Sequence, residues 1–96
     1  MKICGIDYTI KYYNPGELVD EENELFGQFD MGKAEIRIGR YGKQRELETL
    51  RHEIAHVYIA ENLLCMDEFS GEDVCMLIGK YGQEICDLAN KILKVK

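Results

Sequence analysis

The sequence has no apolar run that approaches the roughly 18 residues needed to cross a bilayer. Its first seven residues include Asp7 and lack the apolar core of a secretion signal. We therefore expect no membrane contact and a cytoplasmic location. None of the four cysteines forms a CxxC pair, so we expect reduced thiols that pack as small apolar side chains.

Positive charge is also scarce. The chain has 12 Lys and Arg against 18 Asp and Glu, which gives a net charge of −6. The basic residues do not form one block, whereas nucleic-acid binding depends on clustered Lys and Arg. We expect a protein or peptide partner and no nucleic acid, and the sequence leaves the oligomeric state open.

The 96 residues contain no repeat, low-complexity tract or linker, which predicts a single domain over 1–96. Alternation of apolar and polar residues predicts strands at 5–13, Leu25–Asp30 and Ala34–Ile38. The last two should form a hairpin, and the acidic segment 17–24 should be a loop or a short helical turn. The predicted fold is α+β, with a small antiparallel three-stranded sheet packed on two helices.

Apolar residues near a 3.6-residue period predict one helix from Gln44 to Glu61. A second helix should begin with Ser70 as its N-cap and run to about Leu93. It carries a stripe of small residues that includes Gly79 and Gly82. Glycine inside a helix is unfavourable by about 1 kcal/mol against alanine, so the stripe predicts a close approach to the preceding helix.

The chain's only two histidines lie in the pentapeptide His52-Glu53-Ile54-Ala55-His56, an HExxH motif. Residues four apart share one face of a helix, so both imidazoles can bind one zinc ion. Glu53 is turned about 100° from His52 and reaches the water that the metal activates. The motif predicts His52 and His56 as zinc ligands and Glu53 as the general base of a metallopeptidase.

A catalytic zinc needs a third protein ligand, and no histidine remains. The candidates are carboxylates of the second helix. Glu72 is preferred because it shares the small-residue side, Glu84 is the alternative, and Asp73 or a thiol is also open. The strand Ala34–Ile38 should line the substrate cleft as an edge strand. An oxyanion-stabilising tyrosine is expected, but the sequence does not select among Tyr41, Tyr58 and Tyr81.

Three segments resemble the ImmA/IrrE-like and phage-encoded minimal zinc metallopeptidases. They are Gly27-Gln-Phe-Asp, Glu35-Ile-Arg-Ile and Thr49-Leu-Arg-His-Glu-Ile-Ala-His. The resemblance implies a gluzincin-like site with His52 and His56 as ligands, Glu53 as base and a glutamate from the last helix. It also implies a bacterial or mobile-element origin.

The small size of the chain supports an alternative. Ninety-six residues leave little wall for a deep substrate cleft. The protein would then be a non-catalytic phage or mobile-element interaction protein with a structural metal site.

Overall fold

The computed structural model describes residues 1–61 and 71–94. Seven short strands precede two helices. The strands are Lys2–Ile3 (β1), Ile6–Asp7 (β2), Thr9–Tyr13 (β3), Val19–Asp20 (β4), Asn23–Glu24 (β5), Gly27–Asp30 (β6) and Glu35–Gly39 (β7), and the helices are Lys43–Glu61 (α1) and Gly71–Ile92 (α2). The α+β class and both predicted helices are confirmed, while the predicted N-cap at Ser70 lies outside the described residues.

The main sheet has the order β3-β7-β6 and is mixed. β6 pairs antiparallel with β7, as the predicted hairpin requires, but β3 pairs parallel with β7, with Thr9 opposite Glu35. The prediction of one antiparallel sheet is therefore wrong. Alternation of side chains is the same in both kinds of pairing, so the pattern could not reveal the direction of β3. The long connection over 14–34 supplies the crossover that a parallel pair needs.

Two segments differ locally from expectation. The predicted strand over 5–13 is interrupted, because its first residues fold back on β1 as β2. Cys4 and Gly5 make that turn with positive φ angles of 53° and 81°. The acidic segment 17–24 is neither loop nor helical turn, since β4 and β5 pair within it as a small antiparallel hairpin.

The core lies between the main sheet and α1. Ile36 and Ile38 of β7 are fully buried and face Leu50, Ile54 and Val57 of α1, which are also fully buried. Alternation in β7 sends Glu35 and Arg37 to the other face. This packing fixes α1 across the centre of the sheet.

α2 packs antiparallel against α1 and adds its buried side chains to the same core. Tyr58 of α1 contacts Glu84 and Tyr81 of α2, while Lys43, at the start of α1, borders the same cavity as Leu93. Leu77, Ile85 and Ala89 are the buried side chains of α2.

The close helix approach predicted at the small-residue stripe is wrong. Among the described residues, a Cβ added to Gly79 would meet nothing within 4 Å, and one added to Gly82 would meet only Ile78 of the same helix, at 3.6 Å. Cys4 and Cys75 are exposed and Cys86 is half-buried, and all three are free thiols. They are therefore not the buried apolar residues that the sequence suggested, and Cys65 lies outside the described residues. Within the described part of the chain, neither helix is long and apolar enough to cross a membrane.

Candidate metal centre

The two histidines of the motif lie in the middle of α1 and converge on one point. The Nε2 atoms of His52 and His56 are 3.1 Å apart, and their ring centroids are 4.8 Å apart at an angle of 72°. Two Nε2–H groups could not face each other at that distance, so at least one of these nitrogens presents a lone pair. The helix thus brings the two predicted ligands together without help from another element.

The spacing of the two nitrogens fits a tetrahedral metal ion. Imidazole nitrogens about 2.0–2.1 Å from a tetrahedral zinc lie about 3.3 Å apart, close to the observed 3.1 Å. One ligand atom from each of His52, Glu53 and His56 lies within 4.8 Å of the other two. This group can hold a metal ion.

The Glu53 side chain extends from α1 toward the sheet. Its side chain is only 6% exposed, whereas His52 is exposed and His56 half-buried. Burial raises the pKa of the Glu53 carboxyl, and nearby His52 opposes this shift. Burial also lowers the pKa of His56, with a smaller contribution from His52, and so favours the neutral imidazole that metals bind.

Gly27 allows this burial, although it was not among the predicted site residues. A Cβ at Gly27 would lie 2.4 Å from Thr49 Cγ2 and 3.3 Å from Glu53 Cγ. The start of β6 therefore packs directly on α1 beside the general-base candidate. The available signal was a glycine inside a strand pattern, which marks a close approach of another element.

An open cleft of about 560 Å³ borders the motif. It is lined by Phe26, Gly27, Arg45, Glu48, Thr49, Arg51, His52 and Glu53. The edge strand beside it is β6, because β7 is paired on both sides. The expectation that Ala34–Ile38 forms the edge is therefore wrong, and this segment is the central, buried strand.

The carboxylates predicted as third ligand lie elsewhere. Glu84 accepts a hydrogen bond of 2.6 Å from the Tyr58 hydroxyl, on the α2 side of α1. Glu72 is exposed in the first turn of α2. At 1.5 Å per residue, it lies about 18 Å from Glu84 along the axis of that helix. Neither these two nor Asp73 belongs to the group formed by the motif residues.

The tyrosines proposed for the oxyanion are also engaged elsewhere. Tyr58 and Tyr81 pack against each other between the helices, with ring centroids 5.0 Å apart. The Tyr41 hydroxyl donates to Glu24 and accepts from the backbone N–H of Gly16. None of the three lines the cleft beside the motif.

No family model matches this chain, and comparisons with curated proteins and with solved structures also give no match. The resemblance to ImmA/IrrE-like peptidases therefore stays a prediction based on the motif residues.

Proposed function

We propose that this protein is a zinc-dependent metallopeptidase. The observation that carries the proposal is the convergence of His52 and His56, with Nε2 atoms 3.1 Å apart, next to the buried carboxylate of Glu53. In the part of the chain that the structure describes, the site opens on a cleft lined by His52 and Glu53. A catalytic zinc site keeps one position open, whereas a structural site is closed by four protein ligands.

Zinc, when bound, supplies a Lewis acid that activates water at neutral pH. His52 and His56 would hold the ion through Nε2. Glu53 accepts the proton of the attacking water on a carboxylate oxygen and passes it to the leaving amine. Its burial against Gly27 keeps that carboxylate beside the histidines and limits competition from bulk water.

The edge of β6 supports a peptide as substrate. Among the described strands β6 has one neighbour, β7, and it begins next to Glu53, so its outer edge borders the cleft. An extended peptide can pair with such an edge through its main chain, which gives affinity with little dependence on sequence. We infer that the scissile bond lies where this edge passes the two histidines.

The third protein ligand stays a prediction, with Glu72 first and Glu84 as the alternative. Since neither carboxylate belongs to the motif group, binding through either needs α2 to shift relative to α1. Zinc titration of the variants Glu72→Gln and Glu84→Gln distinguishes the two candidate ligands. The variant of the true ligand should lose at least the roughly 10–100-fold in affinity that loss of an outer-shell partner typically causes, and the other should bind as the wild type does.

Cleavage of a mixed protein or peptide substrate by the zinc-loaded protein tests the proposal. Glu53→Gln should bind zinc and lose about 10²–10⁴-fold in rate, which is the usual contribution of a general base. Glu22→Gln, the same chemical change on an exposed hairpin residue, is the matched control. Undiminished cleavage by Glu53→Gln, or cleavage that survives stringent chelation, would refute the mechanism.

Chelation also separates this proposal from a structural metal in an interaction protein. α1 is fixed by buried Leu50, Ile54 and Val57, while the exposed His52 lies toward the cleft. The metal-free protein should therefore keep its circular dichroism spectrum and unfold cooperatively. Loss of the fold on chelation would favour the structural-metal alternative.

A further inference from the structure

A charged and aromatic wall lines part of the cleft, about two helical turns before His52. Arg45 precedes His52 by seven residues, which places it on the same face of α1 and about 10.5 Å along the axis. Its Cζ lies 4.8 Å from the centroid of the Phe26 ring. Both side chains line the cleft.

This wall is built from the sheet side as well. The Phe26 ring meets Tyr41 edge-on, with centroids 4.8 Å apart. Tyr41 in turn lies so close to Gly39 that a Cβ there would be 2.6 Å from Tyr41 Cε2. Phe26 packs against Tyr41 and therefore supports the Arg45 guanidinium from one side. Stacking on the aromatic ring limits the motion of that guanidinium.

The Arg45 guanidinium is only loosely paired. Within residues 1–61 and 71–94 its one charge partner is Glu48, with Nη1 and Oε1 3.9 Å apart, longer than a hydrogen bond. The side chains are 49% and 69% exposed, so water competes for this pair. Arg51 adds a second guanidinium to the lining. The carboxylates of Glu48 and Glu53 also line the cleft, so its formal charges balance, and the loosely paired guanidinium of Arg45 is the feature that favours an anionic partner.

We propose that Arg45 is a specificity residue that selects an acidic side chain in the peptide substrate, an inference that rests on the proposed peptidase function. A guanidinium fork pairs with a carboxylate through two parallel hydrogen bonds. An extended peptide bound parallel to α1 would advance about 3.3 Å per residue, so 10.5 Å along the helix would correspond to about three residues. The selected Glu or Asp should therefore lie about three residues from the cleaved bond.

Cleavage of a pool of randomised peptides by the zinc-loaded protein, read by mass spectrometry, tests this inference. Products should be enriched in Glu or Asp about three residues from the cut. A matched pair of peptides with Glu or Gln at that position should differ about tenfold in kcat/KM, the size expected for one hydrogen bond to a charged group. Arg45→Glu should shift the enrichment to Lys and Arg, and Arg45→Lys should keep a weaker acidic preference.

Lys91→Glu is the matched control, because it makes the same charge change at an exposed position on α2 outside the cleft. It should keep the wild-type enrichment. Efficient cleavage without acidic enrichment, or enrichment that Arg45→Glu leaves unchanged, would overturn the inference and leave the peptidase function standing.

A binding arm separates the two proposals. Zinc-loaded Glu53→Gln is immobilised and exposed to the same pool, and the retained peptides are sequenced. If acidic peptides are enriched on Glu53→Gln but not on Glu53→Gln/Arg45→Glu, the inference is supported, even if the wild type cleaves no peptide. Failure of the wild type to cleave would refute only the peptidase function. Absence of acidic enrichment among retained peptides overturns the inference whether or not cleavage occurs.

Discussion

At the scale of single residues, the site depends on one strongly patterned motif and on one glycine that the pattern did not reveal. His52 and His56 could be predicted because helical spacing alone brings them together. Gly27 could not, because its role comes from Thr49 and Glu53 on a helix that packs against it. Contacts between elements of this kind leave only a weak trace in the sequence.

Gly27→Ala should disturb the site directly. The added methyl group would lie 2.4 Å from Thr49 Cγ2, so β6 or α1 must move. We expect a loss of about 1–3 kcal/mol in the free energy of unfolding, as for other overpacked cores, and a slower cleavage rate. Urea denaturation and peptide cleavage measure these effects.

Gly32→Ala is the matched control, because its Cβ would meet only Asp30 Oδ1 at an ordinary 3.6 Å. It should change stability by less than Gly27→Ala and leave cleavage unaffected. Equal effects of the two substitutions would show that the contact between Gly27 and α1 is not important.

At the scale of elements, the sequence predicted the two helices and the β6–β7 hairpin well. It failed on how elements pair. β7 was expected at an edge but is central, since the parallel partner β3 comes from far back in the chain. The stripe around Gly79 was expected to touch α1, whereas the contact between the helices runs through Tyr58, Tyr81 and Ile85. Periodicity identifies an apolar face but not its neighbour.

Gly79→Ala tests the corrected packing of α2. Because a Cβ there would meet no atom of residues 1–61 and 71–94 within 4 Å, alanine should fit without strain. It should raise the free energy of unfolding by up to about 1 kcal/mol through helix propensity. A clear loss of stability, measured by urea denaturation, would mean that another element packs on Gly79.

Tyr58→Phe tests the hydrogen bond between Tyr58 of α1 and Glu84 of α2. The Tyr58 side chain is nearly buried and its hydroxyl donates to Glu84 at 2.6 Å. Its removal should lower the free energy of unfolding by about 0.5–1.5 kcal/mol. In a double-mutant cycle, Glu84→Gln and Tyr58→Phe should be less than additive, and additive effects would argue against the bond.

At the scale of the whole molecule, a polar network covers the sheet face opposite α1. Arg37 donates to Glu35 at 2.7 Å, to Asp30 at 2.9 Å and to Gln28 at 2.7 Å, and Lys11 pairs with Glu35 at 3.1 Å. The alternating pattern predicted that this face is polar. It could not predict which charges meet, because that depends on the register between β6 and β7.

This network should make stability depend on acidic pH. Hydrogen bonds from Arg37 and then Lys11 lower the pKa of Glu35, and the Lys33 backbone N–H, with Arg37, lowers that of Asp30. The pKa values of Glu35 and Asp30 are thus lower in the folded chain than in the unfolded chain. The ionised carboxylates therefore stabilise the fold at pH values above the ordinary carboxyl pKa near 4, and this stabilisation is lost as the pH falls.

The thermal midpoint of the wild type should therefore drop as the pH is lowered from neutral to about 3, a range that spans the titration of carboxyl groups. Glu35→Gln should reduce that drop, and Glu22→Gln on the exposed hairpin should not. Equal pH dependence in Glu35→Gln and the wild type would contradict a role for this network.

Anomalous diffraction at the zinc absorption edge, from crystals of the zinc-loaded protein, tests the metal centre most directly. We predict one strong peak about 2.0–2.1 Å from Nε2 of both His52 and His56, with one coordination position open to the cleft. A peak away from both histidines, or no zinc peak at all, would contradict the account.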